Sequence, residues 1–299
     1  MSDKNIGFVG LGIMGKPMVK NLLEAGYSVA VYDINAEAVE EVATSGAEVA
    51  SSASDVAANV PAIITMVPDS ADSEAVILGA NGVLEGATSG AIVIDMSSIA
   101  PGTSQKIAAA CEKQGVGFLD APVSGGEPKA IDGTLAIMVG GKKEIFDRYA
   151  DMFSILGDSI VLCGDYGAGN TTKLANQIIV AANIEAVCEA LVLAKKAGLD
   201  PSVVYEAIKG GLAGSTVLDA KAPMMIDGNF QPGFRVRLHQ KDLHNALLTG
   251  KDLGVPLPVT SLVQQMLGIL MSEDKGDLDH SALANVIEGM ANVNISGKP

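Results

Sequence analysis

Residues 10–15 read Gly10-Leu11-Gly12-Ile13-Met14-Gly15, a glycine-rich turn that decides the fold of this chain. Residues 5–10 are predicted to form a short strand that runs into the turn, and helical spacing begins directly after the turn at Met18 and Leu22. A G-x-G-x-x-G motif between a strand and a helix is typical of dinucleotide-binding turns. Its first glycine allows the tight turn, its second lets a pyrophosphate approach the backbone, and its third lets helix and strand pack closely. The sequence therefore predicts a Rossmann-type domain in which these six residues contact the cofactor.

The second predicted strand, residues 28–33, ends in the carboxylate of Asp33. At this distance from the glycine turn, a carboxylate can accept hydrogen bonds from the adenosine ribose hydroxyls and repels a 2′-phosphate. Ile34 and Asn35 follow, so no arginine stands there to bind such a phosphate. The cofactor is therefore predicted to be NAD rather than NADP. The alternative, a glycine turn followed by an unrelated surface aspartate, is disfavoured by the spacing.

Strand and helix patterns alternate up to about residue 163, as in an α/β domain with a doubly wound sheet. Ligands of open α/β sheets bind at the carboxyl ends of the strands. Val67 and Pro68 follow the strand 62–66, and Ser98 follows the strand 91–95. These three residues should line the cofactor crevice, although each segment alone could be an ordinary strand-to-helix loop. Further strands are predicted at residues 117–120, 135–141 and 159–162.

A strand that runs into a proline, a serine and two glycines forms the next candidate site, at Ser124, Gly125 and Gly126. Backbone N–H groups exposed beside a hydroxyl make a nest for an anion such as a carboxylate. From these residues alone, an ordinary glycine turn explains the pattern equally well.

A long segment without helix breakers, residues 170–197, is apolar on nearly all sides, which is typical of a buried helix. Lys173 lies in its first turn, with Asn176 and Gln177 one turn further along. The helix N-terminus and partial burial both disfavour a positive charge, so this ammonium should lose its proton easily, as a general acid/base lysine does. A lysine that extends from a buried helix to solvent is the alternative, and taken alone it is the commoner case.

Beyond that helix the strand pattern ends, and residues 200–299 show helical periodicity broken by glycine and proline turns. The chain is therefore predicted to be α/β, with an N-terminal Rossmann-type doubly wound sheet and an all-α C-terminal domain joined by a long interdomain helix. Lys241 and Asp242 open one of the later helical runs, and as a surface ion pair they would contribute little. The predicted boundaries are 1–163 for the NAD-binding domain, 164–197 for the hinge and interdomain helix, and 198–299 for the helical substrate and oligomerisation domain.

The composition limits the classes of function. The 299 residues are 48% hydrophobic and carry a formal charge of −15, which suits two globular domains and repels nucleic acid and anionic membranes. The three histidines form no cluster with metal-ligand spacing. Neither a G-x-S-x-G motif nor a usable Cys/His pair supports a hydrolase.

The sequence also predicts a cytoplasmic location. Cys111, Cys163 and Cys188 stand far apart in apolar surroundings and read as core thiols of a reducing compartment. Residues 2–5 lead directly into a strand rather than forming a leader peptide. The most apolar stretch, residues 178–193, is interrupted by polar residues and is a poor membrane span.

Four motifs in this order resemble the β-hydroxyacid dehydrogenase family over essentially the whole chain. They are Gly-Leu-Gly-Ile-Met-Gly-Lys-Pro-Met at 10–18, Asp-Ala-Pro-Val-Ser-Gly-Gly at 120–126, the segment 167–176, and the pair Lys241-Asp242. Residues 95–101 and 210–224 are similar to members of the family that reduce tartronate semialdehyde. The resemblance implies an NADH-dependent reduction of tartronate semialdehyde to D-glycerate by a homodimer or homotetramer.

The resemblance also implies roles for individual residues. Lys173 would be the catalytic residue, residues 124–126 would hold the substrate carboxylate, and Lys241 would reach the nicotinamide end of the cofactor. Many relatives carry an asparagine four residues after the lysine, where this chain has Gln177. We expect Asn176 to orient the substrate oxygen, with Gln177 as the alternative substrate-binding amide.

Two other functions stay open. One is 3-hydroxyisobutyrate oxidation, or reduction of another short semialdehyde, by the same family machinery. The other is a non-catalytic NAD-binding sensor or scaffold, since a fold does not guarantee its usual chemistry. The joint presence of Lys173, Ser124 and an amide partner disfavours a sensor, which would have no reason to keep all three.

Overall fold

The structure, a computed structural model, describes residues 4–297. Within this range nine strands form a single sheet. Residues 2 and 3, on which the expectation of no leader peptide partly rests, lie outside the described residues. The strands are β1 Asn5–Val9, β2 Ser28–Tyr32, β3 Glu48–Val49, β4 Ala62–Thr65, β5 Ile92–Asp95, β6 Gly117–Asp120, β7 Val123–Ser124, β8 Leu135–Gly141 and β9 Gly157–Gly164.

The sheet has the strand order β3-β2-β1-β4-β5-β6-β8-β7, and β9 also pairs with β8. Strands β1 to β6 pair in parallel, whereas β8 is antiparallel to both β6 and β7. The first six strands follow the Rossmann order 3-2-1-4-5-6, so the predicted doubly wound sheet is confirmed. Every residue of β4 and β5 is buried, because helices cover both faces of a parallel sheet.

The helices that flank the sheet pack against it through two hydrophobic clusters. One cluster includes Phe8, Met18 and Phe153, and the other includes Ile63 and Phe118. The helices are α1 Gly15–Glu24, α2 Ala36–Ala43, α3 Ala53–Ala57, α4 Ser70–Leu78, α5 Val83–Gly86, α6 Pro101–Lys113, α7 Gly126–Asp132, α8 Lys143–Arg148 and α9 Ala150–Leu156.

The chain forms two compact units, the first ending at Lys173 and the second beginning at Leu174. The division falls inside α10, Ala168–Lys196, a continuous helix of 29 residues. The second unit is helical, as predicted, and has a hydrophobic cluster that includes Leu243 and Leu267. Its further elements are α11 Pro201–Ile208, α12 Thr216–Asp227, α13 Val236–Leu253, α14 Pro258–Ser272, a 3-10 turn at His280–Leu283, and α15 Ala284–Ala291.

Two expectations about single positions are wrong. Helix α13 begins at Val236 rather than at Lys241, because Arg235 is the last residue with an extended backbone and Val236 already lies on the buried face. Cys163 is half-buried rather than a core residue, because β9 pairs only with β8 and its outer residues are exposed. Cys111 and Cys188 are buried, as predicted.

By length and composition alone, α10 could cross a membrane, and it is the one described helix with that property. Of its most apolar window, 44% is buried inside the protein. Core helices of soluble proteins meet the same criteria, and α10 carries the buried polar residues Asn170, Lys173 and Gln177. Its composition is therefore weak support for a membrane span.

Candidate active site

The glycine turn between β1 and α1 is shaped by two close approaches within the first unit. Gly10 has φ +100°, and a Cβ at this position would lie 2.3 Å from the Met66 carbonyl oxygen. A Cβ on Gly15 would lie 2.0 Å from the Gly10 carbonyl oxygen. Because no side chain fits at either position, the first and third glycines of the motif are required by the fold itself.

Gly12 differs from these two glycines. A Cβ at this position would meet no atom within 4 Å. The packing of the chain therefore does not require glycine at this position. Close approach of a pyrophosphate to the backbone would require it. The turn thus fits a dinucleotide, with Gly12 and Ile13 exposed at the helix start and the Leu11 side chain buried in the core.

Asp33 follows β2 and anchors the glycine turn. Its Oδ2 accepts a hydrogen bond from the Leu11 backbone N–H, and its Oδ1 accepts one from the Asn35 N–H at 2.7 Å. Asn35 in turn caps α2 by accepting from the Glu37 N–H, and Ile34 is 94% exposed. The sequence predicts that Asp33 binds the ribose but gives no sign that it also holds the turn.

The ends of β4 and β5 are tied together beside the glycine turn. The Val67 N–H donates to Ser97 Oγ at 2.9 Å, and the Ser97 N–H donates to Asp95 Oδ1 at 3.1 Å. Asp95 is fully buried, and this burial raises the pKa of its carboxyl group. Since β1, β4 and β5 are neighbours in the sheet, Val67, Pro68 and Ser98 come to the same sheet edge as the glycine turn.

Ser124, Gly125 and Gly126 lie where β7 ends and α7 begins. Gly125 has φ +141° and Gly126 has φ +69°, conformations that L side chains rarely adopt. Ser124 is half-buried and pairs with Ala136 of β8. Successive backbone N–H groups in such a turn can face an anion, so the geometry suits the nest that the sequence suggests.

Asp120, the last residue of β6, holds the start of α10. Its Oδ1 accepts from the Gly167 N–H at 2.7 Å and its Oδ2 accepts from the Asn170 N–H at 2.8 Å. Burial raises the pKa of this carboxyl group, and the two hydrogen bonds act in the opposite direction. The carboxylate thus satisfies N–H groups that every helix leaves unpaired at its N-terminus.

Asn170 makes a second connection between α10 and the sheet. Its Oδ1 accepts from the Ile99 N–H at 2.9 Å, and its Nδ2 donates to Ser104 Oγ at 3.0 Å. Lys173 follows one turn later and is 5% exposed. The position of this buried lysine therefore depends on Asp120 and Asn170. The sequence motifs include both residues but do not indicate this supporting role.

In the second unit, Asn176 and Gln177 connect to Asp242 of α13. Asn176 Nδ2 donates to Gln177 Oε1 at 2.9 Å, and Gln177 Nε2 donates to Asp242 Oδ2 at 2.6 Å. Lys241 Nζ lies 3.2 Å from Asp242 Oδ1, an ion pair without hydrogen-bond alignment. Asp242 is 1% exposed, so the expected surface ion pair is in fact half-buried, because α13 packs this face inward.

His239 and His280 occupy the interior next to Gln177. His239 Nε2 lies 3.1 Å from the Gln177 carbonyl oxygen, and its Nδ1 lies 2.8 Å from His280 Nδ1. Phe234 packs against both rings, at centroid distances of 5.8 and 5.4 Å. Both histidines are therefore core residues, at 1% and 5% exposure.

The sequence matches two protein-family models, one over each part of the chain. Residues 5–164 match the NAD-binding domain of 6-phosphogluconate dehydrogenase. Residues 167–287 match a model described as the NAD-binding region of NADP-dependent 3-hydroxyisobutyrate dehydrogenase. The two matches cover both compact units.

Individual relatives are similar over nearly the full length. The 2-hydroxy-3-oxopropionate reductase of Escherichia coli (strain K12) is 45% identical over 96% of this chain and 98% of its own. The mitochondrial 3-hydroxyisobutyrate dehydrogenase of Homo sapiens is 35% identical over 94% of this chain and 86% of its own. The structure of a Mycobacterium tuberculosis 3-hydroxyisobutyrate dehydrogenase with L-serine superposes with a TM-score of 0.88 at 32% identity, covering 95% of this chain and 98% of that one.

Proposed function

The chain belongs to the β-hydroxyacid dehydrogenase family, and on that premise we propose that it reduces tartronate semialdehyde (2-hydroxy-3-oxopropanoate) to D-glycerate with NADH. The family match establishes an oxidoreductase with a nicotinamide dinucleotide cofactor. The observation that supports the substrate is the 45% identity with the Escherichia coli 2-hydroxy-3-oxopropionate reductase. The observation that supports the chemistry is a buried lysine one turn after the Asp120-capped start of α10.

In this proposal the residues of the first unit bind and protonate the substrate. The cofactor supplies the hydride that is added to the aldehyde carbon. Lys173, as an ammonium, stabilises the developing alkoxide and donates a proton to it. The turn at residues 124–126 holds the substrate carboxylate through backbone N–H groups and the Ser124 hydroxyl. The dinucleotide lies on residues 10–15, with its ribose hydroxyls at Asp33.

Two further residues have proposed roles in the reaction. Asn176 orients the reacting oxygen, and Lys241 reaches the nicotinamide end of the cofactor. Of the two candidate amides, Asn176 is favoured because Gln177 already donates to Asp242 and accepts from Asn176.

The substrate is tested by comparing kcat/KM with NADH for tartronate semialdehyde, methylmalonate semialdehyde and succinate semialdehyde. A site that hydrogen-bonds the hydroxyl of tartronate semialdehyde leaves polar groups unpaired when a methyl group replaces that hydroxyl. We expect tartronate semialdehyde to be preferred by at least roughly 100-fold. A preference for either competitor would overturn the substrate assignment while leaving the family, the cofactor and Lys173 in place.

A second candidate is 3-hydroxyisobutyrate dehydrogenase, the activity named for a relative that is 35% identical. When that enzyme runs in the direction of reduction, its substrate is methylmalonate semialdehyde. The same comparison of kcat/KM values therefore decides between the two candidate activities. Binding of NADH without turnover of any semialdehyde would instead indicate the sensor or scaffold.

The preference between NADH and NADPH gives a separate prediction. Asp33 presents its carboxylate beside the turn, and Ile34 and Asn35 supply no cation for a 2′-phosphate. We expect kcat/KM for NADH to exceed that for NADPH by at least about tenfold, because the carboxylate repels the phosphate. Initial rates at saturating semialdehyde with each cofactor provide the measurement, and equal efficiencies would contradict the role of Asp33.

We further propose that the enzyme acts in the cytoplasm, in glyoxylate metabolism, as a homodimer or homotetramer assembled through its helical unit. That unit exposes large apolar side chains on α11, α13 and α14, including Val203 at 64%, Leu253 at 70% and Leu262 at 54%. Exposed apolar side chains in such numbers favour association. Light scattering on the purified protein gives the number of subunits, and a monomer would contradict this arrangement.

A further inference from the structure

Three side chains of the second unit form a directional chain of hydrogen bonds, here called the amide relay: Asp242, Gln177 and Asn176. Gln177 Nε2 donates to Asp242 Oδ2 at 2.6 Å, and Gln177 Oε1 accepts from Asn176 Nδ2 at 2.9 Å. Asp242 is 1% exposed and Gln177 is 4% exposed. The relay therefore runs from a buried carboxylate on α13 to a half-buried amide on α10.

The carboxylate sets the direction of both bonds. An ionised carboxylate only accepts hydrogen bonds, whereas a carboxamide has a donor end and an acceptor end. Gln177 must therefore turn its NH2 group towards Asp242, which directs its oxygen towards Asn176. Asn176 must then turn its NH2 group towards Gln177, which fixes the position of its own oxygen.

Two further contacts hold the carboxylate and the central amide in place. Lys241 Nζ lies 3.2 Å from Asp242 Oδ1, whereas Gln177 donates to the other carboxylate oxygen, Oδ2. His239, one turn before Asp242 on α13, lies with Nε2 3.1 Å from the Gln177 carbonyl oxygen. Gln177 is thus held by its side chain and its backbone, and both contacts come from the same helix.

We propose that Asp242 is a positioning residue, which acts through Gln177 to fix which end of the Asn176 amide faces the substrate. The inference rests on the proposed function, in which Asn176 orients the reacting oxygen. An amide turned by 180° exchanges a hydrogen-bond donor for an acceptor at the same place. Asp242 therefore controls the rate through the orientation of Asn176 without touching the substrate.

The test exchanges the positions of the carboxylate and the amide in the relay. In Asp242→Asn, the single amide oxygen cannot accept from both Lys241 and Gln177. Either the oxygen keeps Lys241 and the donor and acceptor ends of Gln177 and Asn176 turn over, or it keeps Gln177 and the Lys241 contact is lost. In Gln177→Glu, two carboxylates face each other across the 2.6 Å contact. In the double variant, the amide at 242 accepts from Lys241 and donates to the carboxylate at 177, which again accepts from Asn176.

The expected result is loss of activity in each single variant and its recovery in the double variant. Misplacement of a positioning group by about 1 Å costs roughly 100-fold in rate, so each single variant should lose about 10- to 100-fold in kcat. The double variant should return to within about fivefold of the wild type, since all partners are satisfied again. Glu288→Gln changes a half-buried carboxylate elsewhere in this unit, bound to the Ile295 N–H, and should leave kcat unchanged.

Measuring thermal unfolding together with kcat separates positioning from stability. If the double variant recovers its melting temperature but not its kcat, the relay is structural only and the proposal is overturned. If the double variant recovers neither its melting temperature nor its kcat, residues 177 and 242 are not coupled as proposed, and the proposal is likewise overturned. A wild-type enzyme that turns over no semialdehyde would refute the proposed function instead, and that result is visible before any variant is made.

Discussion

Replacing Lys173 with alanine is expected to lower kcat for semialdehyde reduction by roughly two to four decades, the usual contribution of a positioned acid/base group. Lys173 is buried and follows the capped first turn of α10. A buried ammonium there would supply both the proton and the charge that a developing alkoxide needs. The residues proposed to bind the dinucleotide, 10–15 and Asp33, are unaffected, so the Kd for NADH should stay within about twofold.

Stopped-flow reduction and NADH fluorescence titration on the same preparations measure the two quantities. Lys173→Arg keeps the charge but holds its proton too tightly for acid/base work, so its kcat should also be low. Lys143→Ala, which removes a lysine whose side chain is 70% exposed, provides the control and should behave as the wild type. Near-normal turnover in Lys173→Ala would refute the assignment of the catalytic group.

Replacing Asp120 with alanine is expected to lower the free energy of unfolding of the first unit by about 2–6 kcal/mol. The carboxylate accepts the Gly167 and Asn170 N–H groups at 2.7 and 2.8 Å, in a buried place. Its removal leaves two buried donors without an acceptor, and each such donor costs about 1–3 kcal/mol. Because Lys173 lies one turn beyond these donors, kcat should fall as well, even below the unfolding temperature.

Urea unfolding of the full chain, followed by circular dichroism, measures the loss of stability. Because the chain has two compact units, the unfolding curve must first be tested for two-state behaviour. Asp165→Ala is a suitable control, since Asp165 is an exposed residue two positions before Gly167 and its carboxylate accepts from the neighbouring Tyr166 N–H. Equal unfolding midpoints for the two variants would show that Asp120 does not anchor the helix.

The order of strands and helices could be predicted from the sequence because it depends on local patterns. The glycine turn at residues 10–15, the apolar strands and the breaker-free segment around α10 each span fewer than thirty residues. Strands β3 and β7 could not be predicted from local patterns, because two residues are too few to show an alternation of apolar and polar side chains. They form only because a neighbouring strand offers them a partner.

The supporting residues of the candidate site could not be predicted for a different reason. Asp120 is 47 residues from Gly167, and Gln177 is 65 residues from Asp242. In both cases a buried carboxylate meets a backbone or side-chain amide N–H from a distant segment. Sequence periodicity shows which residues are buried, but it does not show which buried polar groups meet.

The hydrogen bonds of Asp33 have a consequence for how this enzyme could change its cofactor. The carboxylate that would repel a 2′-phosphate also accepts from the Leu11 N–H of the glycine turn and from the Asn35 N–H. If Asp33 has its proposed role, replacing it with a residue that has no acceptor oxygen, in order to admit NADPH, would also remove the partner of the Leu11 N–H in the glycine turn. Evolution or engineering towards NADPH would proceed more readily through a cation introduced at the exposed Ile34, with the Asp33 anchor retained. The residue proposed to select the cofactor, Asp33, thus also holds the glycine turn in place. This double role limits the mutations that could change the cofactor preference.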